Sequence, residues 1–89
     1  MQQAAQTVVT ERLAACANIL PAMQSFYWWE GKVESAAEVV FIAKTRRECF
    51  ERLEVRIQSL HPYSCPCIIA LPIELGYAPY LNWIEQETR

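Results

Sequence analysis

Apolar positions change period several times along this 89-residue chain, and each change marks an element. Over residues 2–17, Ala5, Val9, Leu13 and Cys16 recur at three- and four-residue steps, the stripe of an amphipathic helix. Asn18 can close that helix, and Pro21 forbids its continuation. Met23–Trp29 then predicts a strand. Its four successive aromatics, Phe26, Tyr27, Trp28 and Trp29, put large rings on both faces, because alternate strand residues point opposite ways. Glu30-Gly31 is a turn signal, since glycine supplies the positive φ of a tight hairpin. Val39–Ala43 is a second, buried strand rich in β-branched and aromatic residues, so 22–45 forms a long hairpin.

The period returns to helical over 46–60, where Phe50, Leu53, Ile57 and Leu60 form a stripe. Thr45 followed by Glu48 suggests a capping box at its start, and His61-Pro62 ends it. Ile68–Leu71 predicts a short strand between Pro66 and Pro72, and 79–88 a last helix with Pro79 in its first turn. The predicted order is α-β-β-α-β-α in one domain over 1–89, with no linker or internal repeat.

Composition sharpens this outline. Apolar residues make up 53% of the chain, above the usual ~45–50%. A domain this small hides a limited share of its surface, so a neighbour is expected to cover part of it. One face of the aromatic strand fits a subunit interface; a surface for stacking a ligand is the alternative. A net charge of −2 gives no basic face for nucleic acid. Arg46, Arg47, Arg52 and Arg56 interleave with Glu48, Glu51 and Glu54, the pattern of a solvated, salt-laced helix. No apolar run approaches the ~18 residues of a membrane span, and the first residues lack the features of a secretory leader. The expectation is a cytoplasmic chain whose four cysteines are thiols.

Several motifs together carry a resemblance. Glu11 through Pro21 (ERLAACANILP), Tyr27–Lys32 (YWWEGK), Glu38-Val39 through Lys44-Thr45, His61-Pro62-Tyr63, Ala70-Leu71-Pro72 and Tyr80–Trp83 (YLNW) occur in the order and spacing of the CutA family of divalent-cation tolerance proteins. The match spans essentially the whole chain. The resemblance implies an α+β, ferredoxin-like domain of split βαβ plan: an antiparallel sheet with helices on one face, assembled as a cytoplasmic homotrimer similar to PII-type signal proteins. The family's opening strand has no counterpart before residue 2, so the N-terminal strand is expected to be missing from this sequence. A central position of the sheet would then be left unpaired.

His61, Cys65 and Cys67 form the obvious ligand cluster. Residues two apart in an extended segment share a face, so Cys65 and Cys67 can aim at one ion. Thiolates and imidazole suit copper or zinc; the competing account is small, half-buried strand residues. The resemblance adds His61 through its His-Pro-Tyr motif. Many members carry a carboxylate where Cys67 stands, so softer sulfur here shifts the expected preference toward copper(I), zinc or mercury-like ions. Cys16 is expected in the core of the first helix, and Cys49 on a solvated helix face. The resemblance also implies an inter-subunit cleft lined by Trp28, Trp29, Lys32, Lys44, Tyr63 and Tyr80, where a cation beside aromatic faces would suit a small anion. With one histidine and two glycines, neither a Ser-His-acid set nor a phosphate loop is visible, and no enzyme or organic cofactor is expected. The expected function is divalent-cation tolerance through metal binding. The alternatives are a PII-like signalling or scaffold trimer, and a very stable trimer with a structural or anchoring role.

Overall fold

A computed structural model describes residues 1–61 and 66–89. The elements are α1 (Gln2–Thr10), β1 (Cys16–Trp29), β2 (Lys32–Lys44), α2 (Phe50–Leu60) and α3 (Ala78–Glu87), with a 3-10 turn over Arg47–Cys49 leading into α2.

The first helix is shorter than its apolar stripe predicts, ending at Thr10 rather than 17. The Leu13 N–H donates to the Val8 carbonyl at 3.0 Å and the Arg12 N–H to the Val9 carbonyl at 3.0 Å. Arg12 is left-handed, with φ 65. This is a Schellman stop with arginine at the position glycine usually fills. Leu13 therefore folds back onto Val8, and both are buried. The stripe residues Leu13 and Cys16 are not helical: Leu13 belongs to the turn, and Cys16 opens β1. Asn18 likewise lies in β1 and closes no helix.

β1 and β2 pair antiparallel from Cys16↔Lys44 to Trp29↔Lys32, so the hairpin is longer than predicted at its open end. At its tip Glu30 (φ 50) and Gly31 (φ 77) are both left-handed, the geometry of a two-residue hairpin turn. Between Leu20 and Met23 the register slips, because β1 holds one extra residue there. The bulge accommodates Pro21, and Ala22 adopts φ 66. Fourteen residues of extended chain span roughly 45 Å, which accounts for the longest dimension of the molecule, 45 Å.

Phe41 and Ala43, on one face of β2, pack with Val9 and Ile57 around the buried cluster Val8, Leu13, Ala14 and Leu53. α1 and α2 thus cover one face of the sheet, as expected for an α+β fold. The predicted strand at 68–71 is absent: the described residues 66–77 belong to no helix or strand. Only one antiparallel pair exists among the described residues, and a lone segment without a pairing neighbour cannot close a ladder. Nor does Thr45 cap α2; its hydroxyl donates to the Leu13 carbonyl at 2.6 Å, tying the strand end to the α1 turn. Pro79 does sit in the first turn of α3.

Val8 is fully enclosed whereas Val55 is 65% exposed. Val8→Ala is expected to lower unfolding stability by about 2 kcal/mol, and Val55→Ala by less than about 0.5 kcal/mol. Urea midpoints at matched protein concentration check the difference.

Candidate metal and ligand-binding sites

The end of α2 positions His61, whose backbone N–H donates to the Ile57 carbonyl at 2.8 Å. The residue is half-buried. Six residues later Cys67 is an exposed free thiol in the segment that precedes α3. Cys65 and Tyr63, both singled out in the sequence, lie outside the described residues. Among the described residues no three metal-ligating side chains stand close enough to hold one ion. Imidazole and thiolate chemistry fits a soft or borderline ion, with His61 and Cys67 as the described donors.

The residues expected to line a cleft occupy separate places within one chain. Trp29 and Lys32 pair across the hairpin tip, and Trp28 faces the other way beside Val33. Lys44 lies at the opposite end of β2, twelve residues from Lys32, or roughly 40 Å of strand. Tyr80 sits on α3, stacked on Trp83 with ring centroids 5.7 Å apart. One chain therefore cannot bring the tip residues to Lys44.

Two clusters escaped the sequence reading. On the sheet face opposite the helices, the Lys44 ammonium and the Cys16 thiol both donate to the Asn18 side-chain oxygen, the thiol at 3.5 Å. Period-two alternation would have placed these three together had β1 been started at residue 16. The second cluster surrounds Cys49, which is buried and not solvated. Arg52 donates to its sulfur at 3.4 Å. Arg46 donates to the Thr88 hydroxyl at 2.8 Å and to the Thr88 carbonyl at 2.9 Å. The end of α3 is thereby fastened over the thiol. These arginines are tertiary anchors, not members of a purely solvated face. Arg56 also reaches beyond its own helix: it makes a bidentate pair with Glu11, at 3.0 and 2.8 Å. The hydrogen bond and then the charge of Glu11 raise the guanidinium above its ordinary range.

An antiparallel hairpin with helices packed on one face defines a domain of the α+β class. More narrowly, the profile of the CutA1 divalent ion tolerance proteins matches residues 1–87, and the chain belongs to that family. It is 44% identical over 85 residues to the divalent-cation tolerance protein CutA of Archaeoglobus fulgidus, covering 96% of this chain and 82% of that protein. It is 45% identical over 85 residues to the chloroplastic protein CutA 1 of Oryza sativa, again over 96% of this chain. The chain spans about half the length of that rice protein and of human CutA, 48% and 49% respectively. The solved structure of the Thermus thermophilus divalent cation tolerance protein superposes with a TM-score of 0.95 at 42% identity, covering 99% of this chain and 85% of that one.

The burial contrast predicts an order of thiol reactivity. A reagent such as DTNB is expected to label Cys67 in the native protein and Cys49 only after unfolding. Arg46→Ala, which frees Thr88, should bring Cys49 labelling into the native state. Peptide mapping of the labelled sites checks both.

Proposed function

We propose that this chain is a divalent-cation tolerance protein that acts by binding soft or borderline metal ions such as copper, as a cytoplasmic homotrimer. Membership of the CutA1 family over residues 1–87 carries the proposal. His61 and Cys67 supply donors of matching softness, with Cys65 as the third candidate. The activity is binding rather than catalysis, which accords with a chain holding a single histidine and two glycines.

The exposed apolar surface supports self-assembly. Phe26 and Trp28 are 72% and 75% exposed, and Ile69, Leu71, Ile73, Leu75 and Tyr77, at alternate positions of the segment before α3, are all exposed as well. Single exposed apolar residues are ordinary, but rows of them mark interaction surfaces. No helix among the described residues is long and apolar enough to cross a membrane. A cytoplasmic setting suits the free thiols, although a relative in rice is described as chloroplastic and a solved relative from Archaeoglobus fulgidus as periplasmic.

A PII-like scaffold that holds a small anion between subunits is the second reading. It is favoured by the separation of Lys44 from Trp29 and Lys32, which only a neighbouring copy's hairpin tip can bridge.

Titration with copper(I) and zinc tests the metal reading. Cys67→Ser is expected to weaken binding by at least about tenfold, the lower range even for losing an outer-sphere partner. Equal affinity in the two proteins would sink it. Native mass spectrometry is expected to give a three-chain mass, converted to smaller species by the double substitution Phe26→Glu and Trp28→Glu.

A further inference from the structure

We propose that Cys16 and Lys44 form an oxidation site at which a hydroperoxide converts the pair into a covalent sulfur–nitrogen cross-link between β1 and β2. The site is separate from His61 and Cys67 and does not depend on metal binding.

Register is the first reason. Cys16 and Lys44 are direct cross-strand partners, so their side chains leave the sheet on the same face, with Cβ atoms ~4.5–5.5 Å apart. Within one chain, that face is the one the helices leave uncovered. Convergence is the second. The thiol and the ammonium donate to one acceptor, the Asn18 side-chain oxygen. A shared acceptor draws sulfur and nitrogen toward the same point, and holding two reactants together removes much of the entropic barrier to their reaction. Selectivity is the third. Lys32 and Lys44 are the only lysines in the chain. Lys32 faces Trp29, and Lys44 faces a cysteine. Cys49, by contrast, is enclosed by the guanidinium of Arg52, which is always charged and no nucleophile.

The chemistry balances in two steps. The Cys16 sulfur attacks one oxygen of hydrogen peroxide: the S–H and O–O bonds break, an S–O bond forms, and water leaves. The product is a sulfenic acid, an oxidation state that condenses with nearby thiols or nitrogens. Lys44 gives one ammonium proton to solvent and, as the free amine, attacks that sulfur. An S–N bond forms, the S–O bond breaks, and a second water leaves with a proton from the amine. Sulfur is oxidised by two electrons and one peroxide is reduced to two waters. The link pins the open end of the hairpin and removes the positive charge of Lys44 from the helix-free face. The link consumes the sulfenic acid before it can proceed to sulfinic acid, and thiol reductants reverse it.

Peptide mapping of the whole chain after hydrogen peroxide treatment, with no reductant in the digest, tests this. The expected product joins the Cys16 and Lys44 peptides, is two hydrogens lighter than their sum, and separates on adding dithiothreitol. Lys44→Arg should abolish the joined species and let Cys16 proceed to sulfinic acid. Asn18→Ala should lower the yield of the link while leaving both reacting groups in place. Cys16 carrying oxygen beside an unmodified Lys44 in the native chain would overturn the proposal, as would Cys16 recovered in a disulfide. The map of the unsubstituted protein decides the matter even where a variant fails to fold.

Discussion

The turn at Arg12 is the constraint on which the rest of the chain depends. A left-handed residue there reverses the backbone within three residues, and the Val8 carbonyl accepts both Leu13 at 3.0 Å and Ala14 at 3.2 Å. That closure sets the point where β1 begins. The Ala15 N–H then donates to the Lys44 carbonyl at 2.8 Å, which fixes the first rung of the ladder. From this rung the alternation of every residue up to the bulge follows. Starting the strand one residue later would turn Ile19 away from the helices, exchanging core for surface along β1. The Thr45 hydroxyl on the Leu13 carbonyl and the Arg89 N–H on the Arg12 carbonyl gather β2 and the end of α3 at the same turn. One tight reversal thereby organises four elements.

Why the sequence under-reads this point is a matter of competing signals. Leu13 and Cys16 continue the helical stripe of Val9, and alanines at 14 and 15 are strong helix formers. The usual mark of a helix stop is glycine, and Arg12 carries none of that signal. The stop is stabilised instead by the packing of Leu13 on Val8, a contact that exists only once the chain has turned. The hairpin was legible because its signals are local: an aromatic run, a β-branched run and a glycine between them. The helix over 46–60 was legible from its stripe, and α3 from Pro79. The predicted strand at 68–71 failed for a different reason. Ladder formation needs a neighbour, and strand propensity alone supplies none. The candidate site divides in the same way. His61 and Cys67 were named from local motifs. The Asn18 cluster and the buried setting of Cys49 depend on contacts between residues distant in sequence, which no spacing rule reports.

A two-stranded sheet has two faces, and α1 with α2 can cover one. The chain therefore keeps an apolar surface that a larger domain would bury. Leu20 and Ile42 are 52% and 41% exposed on the uncovered face. The apolar excess of the composition is not spread at random. It lies along this face, the hairpin tip and the row from Ile69 to Tyr77. Surface of this kind is the physical basis for expecting further copies, independent of any likeness to other proteins.

The bulge at Pro21-Ala22 determines what that surface presents. Before it, Cys16, Asn18 and Leu20 share the helix-free face with Lys44, Ile42 and Val40. An uninterrupted strand would carry Tyr27 and Trp29 to the opposite, helix-covered side, because they are odd-numbered and these residues are even. One extra residue reverses the parity, and Tyr27 and Trp29 emerge beside Glu34 and Lys32 on the same face as Lys44. Holding Ala22 in a left-handed conformation costs roughly 1–2 kcal/mol, and the local ladder is interrupted. In exchange the aromatic tip and the Cys16–Asn18–Lys44 cluster lie on one continuous surface at opposite ends of a long hairpin. The faces of Trp29 and Tyr27 can then meet the Lys44 of a neighbouring chain only through a packing that uses this surface. The position of the bulge, more than the identity of any one aromatic residue, decides which rings each side of the hairpin presents.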